Sequence, residues 1–291
     1  MKVLIFGSKG YLGSQFVGIY PNAIASTVDI ADQAAVASVL DQHKPDVVIN
    51  AAGKTGRPNV DWCEIHREET FASNVIGPNV LLQECGKRGL YWVHLGSGCI
   101  YEGDNNGKGY SEEDVPNFTG SFYSWTKNIS DQTLKRFASG WNGQGGILNL
   151  RLRMPFDATS SPRNLISKLK GYKRVLDVPN SITCIPELLD AAQKLIAKRK
   201  TGTFNMVNGG GISPFRIMQM YKEVVDPTHQ FERLTLRDLS DVVKAARSNC
   251  ILSNQKLAEE GIVLRSAEEA VRESLQSLRG ALQINGANTP I

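Results

Sequence analysis

The chain has 291 residues, of which 41% are hydrophobic and 21% are charged, and its formal net charge is +4. These values are typical of a soluble protein with a large core, at a length where one domain begins to divide into two. They favour neither a membrane nor a nucleic-acid partner, because no run approaches the roughly 20 apolar residues of a membrane span and the basic residues are dispersed.

Apolar runs and amphipathic stretches alternate along the chain. The predicted strands are 3–6, 23–26, 47–51, 91–95, 147–152 and 203–207. The predicted helices are 11–19, 32–43, 64–87, 123–137, 186–198 and 215–224, with a last amphipathic stretch at 267–278. This order predicts an α/β fold with a Rossmann-type doubly wound parallel sheet.

The alternation loosens after Arg153, which indicates a second unit. We expect residues 1–155 to form a dinucleotide-binding domain, with the strand at 203–207 returning to it. Residues 156–291 are expected to form mainly a smaller C-terminal substrate lobe.

A glycine-rich turn follows the first strand directly. Glycines at this spacing let the chain turn tightly and bring backbone N–H groups and a helix N-terminus against a pyrophosphate. The alternative is an ordinary strand–helix turn with incidental glycines. The residues predicted to contact the dinucleotide here are Gly7, Lys9, Gly10, Tyr11, Leu12 and Gly13.

Three residues in the middle of the chain have the order of a ketone reductase. Tyr123 and Lys127 stand four apart, on one face of a predicted helix. A phenol can donate the proton to a ketone as hydride arrives, and a nearby ammonium lowers its pKa. Ser97 follows the preceding strand and can hold the substrate oxygen. The alternative is a packed aromatic ring, a solvated lysine and a turn residue.

These motifs together resemble the extended short-chain dehydrogenase/reductase family. The residues that carry the resemblance are Gly7, Gly10, Gly13, the run 50–53, Ser97, Tyr123 and Lys127. The resemblance covers nearly the whole chain and implies a Rossmann domain, a smaller C-terminal lobe and a nucleotide-sugar substrate. It also implies a homodimer that pairs through the helices at 64–87 and 123–137.

The cofactor is expected to be NADPH, with NADH as the alternative. An acidic residue at the end of the second strand would favour NAD, and residues 25–27 provide none. Lys9 is then available for a 2′-phosphate. Further cofactor contacts implied by the resemblance are Asp29 and Ile30 at the adenine, and Ala51, Ala52 and Gly53 after the third strand.

Longer segments resemble the epimerase/reductases that complete UDP-L-rhamnose synthesis. They are 53–64, 98–102, 116–123, 153–155, 162–164, 178–181 and 247–249. This implies 3,5-epimerisation of UDP-4-keto-6-deoxy-D-glucose followed by NADPH-dependent reduction at C4, in one site. One alternative is a reductase alone, acting on dTDP-4-dehydrorhamnose. Another is a non-catalytic NADP-binding regulatory subunit.

Epimerisation needs an acid and a base on opposite faces of the sugar ring. Cys99 comes two residues after Ser97, so an extended backbone would point both side chains to the same side. The resemblance implies Lys168 as the opposing group, while Asn164 stands where fucose-forming relatives have a histidine. The alternatives are a buried apolar cysteine and a solvated lysine.

Substrate contacts are expected in two groups. Arg57, Asn59, Trp62 and Glu64 follow the third strand, at the ligand-binding end of the sheet. Arg163, Asn164, Lys170 and Arg247 are candidates for the uridine diphosphate, since cationic side chains suit phosphate oxygens.

The five cysteines are odd in number and scattered, and Met1 leads straight into a strand without a signal peptide. We expect free thiols in the cytoplasm and no metal site.

Overall fold

The computed structural model describes residues 1–140, 144–239 and 243–287 and contains one central parallel sheet. The strands are β1 Val3–Phe6, β2 Ile24–Ser26, β3 Val47–Asn50, β4 Tyr91–Ser97, β5 Ile147–Leu152, β6 Pro155–Phe156, β7 Arg174–Leu176, β8 Thr183–Cys184, β9 Gly202–Asn205 and β10 Glu232–Leu234. The helices are α1 Tyr11–Ile19, α2 Gln33–His43, α3 Asp61–Ile65, α4 Arg67–Phe71, α5 Gly77–Lys87, α6 Phe122–Arg136, α7 Leu165–Lys170, α8 Ile185–Ala197, α9 Pro214–Val224, α10 Gln255–Glu259 and α11 Ala267–Ala287.

The sheet order is β2–β1–β3–β4–β5–β9, with parallel pairing throughout. The chain passes from β1 outward to β2 and then crosses to β3 on the other side of β1. Ligands of such sheets bind at this reversal, beyond the carboxyl ends of the strands. The predicted doubly wound fold is confirmed, and the strand expected at 203–207 is β9 beside β5.

Alternate residues of the strands enter two apolar cores, which explains why the strands are almost continuously hydrophobic. Ile5 and Val93 belong to the core beneath α1 and α8. Leu4 and Trp92 belong to the opposite core, beneath α2, α5 and α6. Full burial of each such side chain contributes about 1.5–3 kcal/mol, so the two helical layers hold the sheet edge rigidly in place.

The single helix predicted at 64–87 is wrong. α3 ends before His66, whose backbone angles (φ −120°, ψ 54°) leave the helical region while its ring stacks on Trp62 at 3.8 Å. Between α4 and α5 the helix widens into a π turn, Ala72–Ile76. Pro78 has no N–H for the carbonyl of Asn74, and the hydroxyl of Ser130 donates to that carbonyl instead.

A second, smaller core lies beyond β5. Ile166 of α7, Met218 of α9 and Val271 of α11 are buried in it together. This part of the chain contains two short pairs of parallel strands, β6 with β8 and β7 with β10, and β6 follows β5 directly in the chain. α11 runs farther than the predicted stretch at 267–278.

Candidate active site

The glycine turn after β1 has the shape of a phosphate cradle. Gly7 has a φ of +70°, and a Cβ at this position would lie 2.5 Å from the backbone nitrogen of Ala52. A Cβ on Gly13 would lie 2.1 Å from the Gly7 carbonyl oxygen, so α1 packs directly on the turn. α1 begins at Tyr11 with no side-chain cap from Gly10 and no acidic residue in its first turn. Its first N–H groups therefore remain available to a pyrophosphate.

The other predicted cofactor residues lie along the same edge. Lys9 and Asp29 are exposed, and Leu12 and Ala51 are half-buried. The side chain of Ile30 is buried and packs on Gly77 of α5. A contact between Ile30 and the adenine stays a prediction.

Tyr123 and Lys127 project from the first turns of α6 toward the end of β4. Ser121 caps the helix by accepting the Ser124 N–H, which fixes the start of the helix. Tyr123 and Lys127 are only 7% and 6% exposed. The Lys127 ammonium donates to the carbonyl of Leu95 at 3.2 Å, so the helix is fastened to the strand that carries Ser97.

Burial sets the proton affinities of this pair. It raises the pKa of Tyr123 well above its ordinary value, while a hydrogen bond with Ser97 lowers it. Burial lowers the pKa of Lys127 to about 8, against the attraction of Asp131. Tyr123 is thus a protonated donor at neutral pH, and Lys127 is an ammonium close to its titration range.

A buried ion pair stands behind Lys127. Asp131 accepts hydrogen bonds from Arg151 at 2.8 and 3.2 Å and from Asn149 at 2.9 Å. Arg151 is fully buried and also donates to Asn205 at 3.2 Å. Because Arg151 and Asn149 belong to β5 and Asn205 to β9, these bonds fix α6 against two strands.

Sequence reasoning missed Asn74. Its side-chain oxygen accepts the Lys54 N–H at 2.8 Å, and its amide donates to the Lys54 carbonyl at 2.9 Å and to Thr126 at 3.2 Å. Asn74 thereby ties the loop after β3 to α6. No sequence signal singles out Asn74, because Thr70, Ser73 and Asn79 are polar residues in the same stretch.

Cys99 lies close to Ser97, but the expected geometry was wrong. β4 ends at Ser97, and the Cys99 N–H donates to the Ser97 hydroxyl at 3.2 Å, which closes a tight turn. The two side chains are therefore placed by a turn rather than by an extended strand. The guanidinium of Arg153 donates to the Cys99 sulfur at 2.8 Å, a contact that sequence reasoning did not predict.

Three cations lie near the loop after β3. The pKa of Arg163 is lowered by burial and by the charge of Arg57, and the pKa of Lys168 is lowered by burial and by the charge of Arg163. Arg163 donates to Thr55 and to the Gly56 carbonyl, both at 2.8 Å. Within the described residues, no carboxylate pairs with any of the three cations. Such a cluster suits a polyanionic ligand.

Arg247 occupies a different position. It forms a two-pronged ion pair with Asp61 at 2.8 and 2.9 Å and lies 3.4 Å from the Asn59 side chain. The hydrogen bond from Arg247 holds the pKa of the Asp61 carboxylate below its ordinary value. The predicted Lys170 lies over the ring of Tyr221 at 5.9 Å, on the side of the C-terminal lobe.

Two predicted substrate residues have structural partners. Asn164 is the N-cap of α7, and its amide donates to Asp157 and Thr159. Because its side chain is saturated by the loop, we correct the expectation that it contacts the substrate. The Glu64 carboxylate accepts the Phe122 N–H at 2.7 Å and so holds the start of α6.

All five cysteines are free thiols, and Cys99 is the most accessible, since the other four are buried. In the described ranges no group of side chains is arranged to hold a metal ion. Across those ranges, too, each helix is too short or too polar to cross a bilayer.

Comparisons with known proteins identify the family of the chain. Residues 1–140 match the RmlD substrate binding domain family. A bifunctional dTDP-4-dehydrorhamnose 3,5-epimerase/dTDP-4-dehydrorhamnose reductase of Arabidopsis thaliana is 37% identical over 279 residues, which cover 92% of this chain and 90% of the relative. A trifunctional UDP-glucose 4,6-dehydratase/UDP-4-keto-6-deoxy-D-glucose 3,5-epimerase/UDP-4-keto-L-rhamnose-reductase of the same plant is 36% identical, over 93% of this chain and 41% of its own length.

The chain is also similar to a solved structure over almost the whole length of both proteins. The L780 UDP-rhamnose synthase of Acanthamoeba polyphaga mimivirus has a TM-score of 0.89 and 31% identity, covering 95% of this chain and 99% of that one. The chain is therefore a member of the rhamnose-forming epimerase/reductase family within the extended short-chain dehydrogenases/reductases.

Proposed function

We propose that the protein converts UDP-4-keto-6-deoxy-D-glucose to UDP-L-rhamnose by 3,5-epimerisation and NADPH-dependent reduction at C4. The observation that carries this proposal is the meeting of two chemistries at the end of β4. Ser97 joins Tyr123 and Lys127 as a reductase triad, and Cys99 follows in the next turn beside Arg153.

The residues after β1 and β3 fit NADPH. The glycine cradle and the uncapped start of α1 suit the pyrophosphate, and exposed Lys9 is free to meet a 2′-phosphate. When bound, NADPH supplies the hydride that reduces the C4 ketone. Lys127 would hold the ribose beside Tyr123.

In the reduction, Tyr123 donates its phenolic proton to the carbonyl oxygen, so that the ketone becomes an alcohol. The Lys127 ammonium stabilises the phenolate that remains. Ser97 donates a hydrogen bond to the same oxygen and holds the carbonyl in position. The high pKa of Tyr123 keeps it protonated until the ketone oxygen becomes basic.

The epimerisation uses the same carbonyl. C3 and C5 are both adjacent to C4, so removal of a proton from either carbon moves the C–H electron pair to the carbonyl oxygen as an enolate. Ser97 and Tyr123 stabilise that oxygen. We assign the two proton transfers to Cys99 and Lys168 on opposite faces, one taking the proton and the other returning one. Burial of Lys168 favours its release of a proton.

The cations Arg57 and Arg163 are assigned to the diphosphate, together with Arg247 once it leaves Asp61. Asn59 and Trp62 lie in the same loop region and are assigned to the sugar and base. The absence of carboxylate partners for Arg57 and Arg163, among residues whose placement is described, supports this assignment.

An exposed apolar face supports a homodimer. The ring centroids of Phe71 in α4 and Phe122 in α6 lie 5.9 and 5.2 Å from that of Trp125, which is 41% exposed. A second copy would cover this face. We propose a cytoplasmic homodimer, consistent with the free thiols, with neither nucleic acid nor membrane as a partner.

The test is NADPH oxidation by the purified protein with UDP-4-keto-6-deoxy-D-glucose in deuterated water, followed by NMR of the product. Deuterium at C3 and C5 of a rhamnose nucleotide supports both chemistries. Turnover of dTDP-4-dehydrorhamnose alone would indicate a reductase without epimerase activity, and turnover of neither substrate would indicate a regulatory subunit. Tyr123→Phe should abolish reduction, while Tyr91→Phe, at the other end of β4, is the matched control.

A further inference from the structure

Four of the sequence segments that resemble the rhamnose-forming epimerase/reductases meet near the sulfur atom of Cys99. Cys99, Arg153, Asn180 and Ser248 each come from a different segment, yet Arg153 contacts the other three. Among the described residues, Arg153 forms no hydrogen bond with Ser97, Tyr123 or Lys127, although its charge acts on Tyr123. Hydrogen bonding to the reductase triad therefore does not explain why the segments converge here.

The guanidinium of Arg153 is held on several sides. One terminal nitrogen donates to the Cys99 sulfur at 2.8 Å and to the Ser248 hydroxyl at 3.3 Å. The other donates to the Ser248 carbonyl at 2.9 Å and to the side-chain oxygen of Asn180. Asn180 also accepts the Cys250 N–H at 3.0 Å. These hydrogen bonds fix the orientation of the guanidinium, and with it the direction of the hydrogen bond from Arg153 to the Cys99 sulfur.

The turn that carries Cys99 is shaped to admit this arginine. A Cβ on Gly98 would lie 2.9 and 3.0 Å from the Cγ and Cδ atoms of Arg153. Only glycine lets the arginine stem pass so close to the turn. Gly98 thus connects the position of the arginine with that of the cysteine.

The charge of Arg153 also lacks an acidic partner. The side chain is 2% exposed, and over the ranges that the structure describes no carboxylate pairs with it. Its interacting groups that can become anions are Cys250, Cys99 and Tyr123. Cys250 is itself engaged with the Gly98 carbonyl at 3.3 Å. A buried cation without a counter-charge is costly, and the Cys99 sulfur lies in hydrogen-bond contact with this cation at 2.8 Å.

We propose that Arg153 is a positioning residue for the epimerisation half-reaction, which holds the Cys99 sulfur toward the sugar ring and offers it a fixed positive charge whenever it is a thiolate. This rests on the proposed function. When the thiolate takes a proton from carbon, an S–H bond forms and the C–H electron pair moves to the carbonyl oxygen. When the thiol returns a proton, the movement is reversed. Nothing is oxidised or reduced in this step.

The experiment compares two rates in Arg153→Met and Arg153→Lys. The first is deuterium exchange at C3 and C5 of UDP-4-keto-6-deoxy-D-glucose without NADPH. The second is NADPH oxidation with the epimerised ketone. We expect Arg153→Met to slow exchange by about 100-fold or more, the scale of one acid–base group, and to slow reduction far less. Arg153→Lys should recover part of the exchange and shift its pH profile.

A double-mutant cycle separates positioning from general damage. If Arg153 acts through Cys99, the double variant Arg153→Met/Cys99→Ala exchanges no more slowly than Cys99→Ala alone. The proposal is overturned if the free-energy costs of the two single substitutions for exchange add up in the double variant. It is also overturned if Arg153→Met slows exchange and reduction equally. If Arg153→Met does not fold, Ser248→Ala is used instead, and the rate at which iodoacetamide alkylates Cys99 is measured. We expect this rate to fall severalfold relative to wild type. An unchanged rate counts against the proposal. Absence of exchange in the wild-type protein would instead reject the proposed function.

Discussion

Replacing the buried lysine of the triad is expected to stabilise the fold while it removes activity. Burial lowers the pKa of Lys127 from its ordinary value of 10.5 to about 8. At about 1.36 kcal/mol per pKa unit, this corresponds to a cost of about 3 kcal/mol for holding the ammonium inside the protein. Lys127→Met removes this cost and loses one hydrogen bond to Leu95, worth about 1 kcal/mol. The variant should therefore be about 2 kcal/mol more stable at pH 7.

The sign of the pH dependence follows from the direction of the shift. Between pH 8 and 10.5 the unfolded lysine binds a proton that the folded one has lost, so the wild-type protein gains stability as the pH rises. The cost of holding the Lys127 ammonium inside the protein is fully present below pH 8. It disappears above the pKa of the lysine in the unfolded chain. The difference in free energy of unfolding between Lys127→Met and the wild-type protein should therefore shrink by about 2 kcal/mol between pH 7 and 9.5.

Urea unfolding of both proteins at pH 7 and 9.5, without cofactor, measures this difference. Lys135→Met is the control, since Lys135 lies on the same helix but is 31% exposed and pairs with Glu113. A difference between wild type and Lys127→Met that stays the same at both pH values would refute the reasoning. Reduction by Lys127→Met should fall by about 100-fold or more.

Three further outcomes are expected. The rate of reduction by the wild-type protein should fall about tenfold between pH 7 and 9, as Lys127 loses its proton near pH 8; a flat profile across that range would contradict the assignment. Gly98→Ala should cost about 1–3 kcal/mol in urea unfolding, because the added Cβ lies 2.6 Å from Leu252, and it should slow deuterium exchange more than reduction. Arg247→Met should raise KM for the nucleotide sugar about tenfold, whereas Asp61→Asn, which leaves the cation, should not; equal effects on KM would remove Arg247 from the diphosphate site.

The sheet and the helix that carries Tyr123 and Lys127 were predictable because their signals are local. Hydrophobic runs give the strands, and the spacing of Tyr123 and Lys127 places both on one helix face. The break at His66 was not predictable from periodicity, since its stacking on Trp62 depends on side-chain conformation. The π turn before Pro78 was also missed, because the apolar pattern continues through it.

The setting of Cys99 depends on contacts between distant parts of the chain. Arg153 lies 54 residues from Cys99 in sequence, and Ser248 lies 95 residues from Arg153. No local rule joins such positions, although the segments that contain them were recognisable. A charged residue at the end of an apolar strand was the one signal that pointed to Arg153.

β5 serves both halves of the proposed reaction. Arg151 leaves this strand toward the helix that carries Tyr123, and Arg153, two residues later, reaches Cys99. Arg153 comes directly after Leu152, the last residue of β5, so the position of this strand also sets where Arg153 leaves the sheet. A slip of β5 by one residue would therefore misplace both arginines at once. Mutations in this strand, at Asn149 for example, should lower epimerisation and reduction in parallel, while mutations in the turn after β4 should separate them.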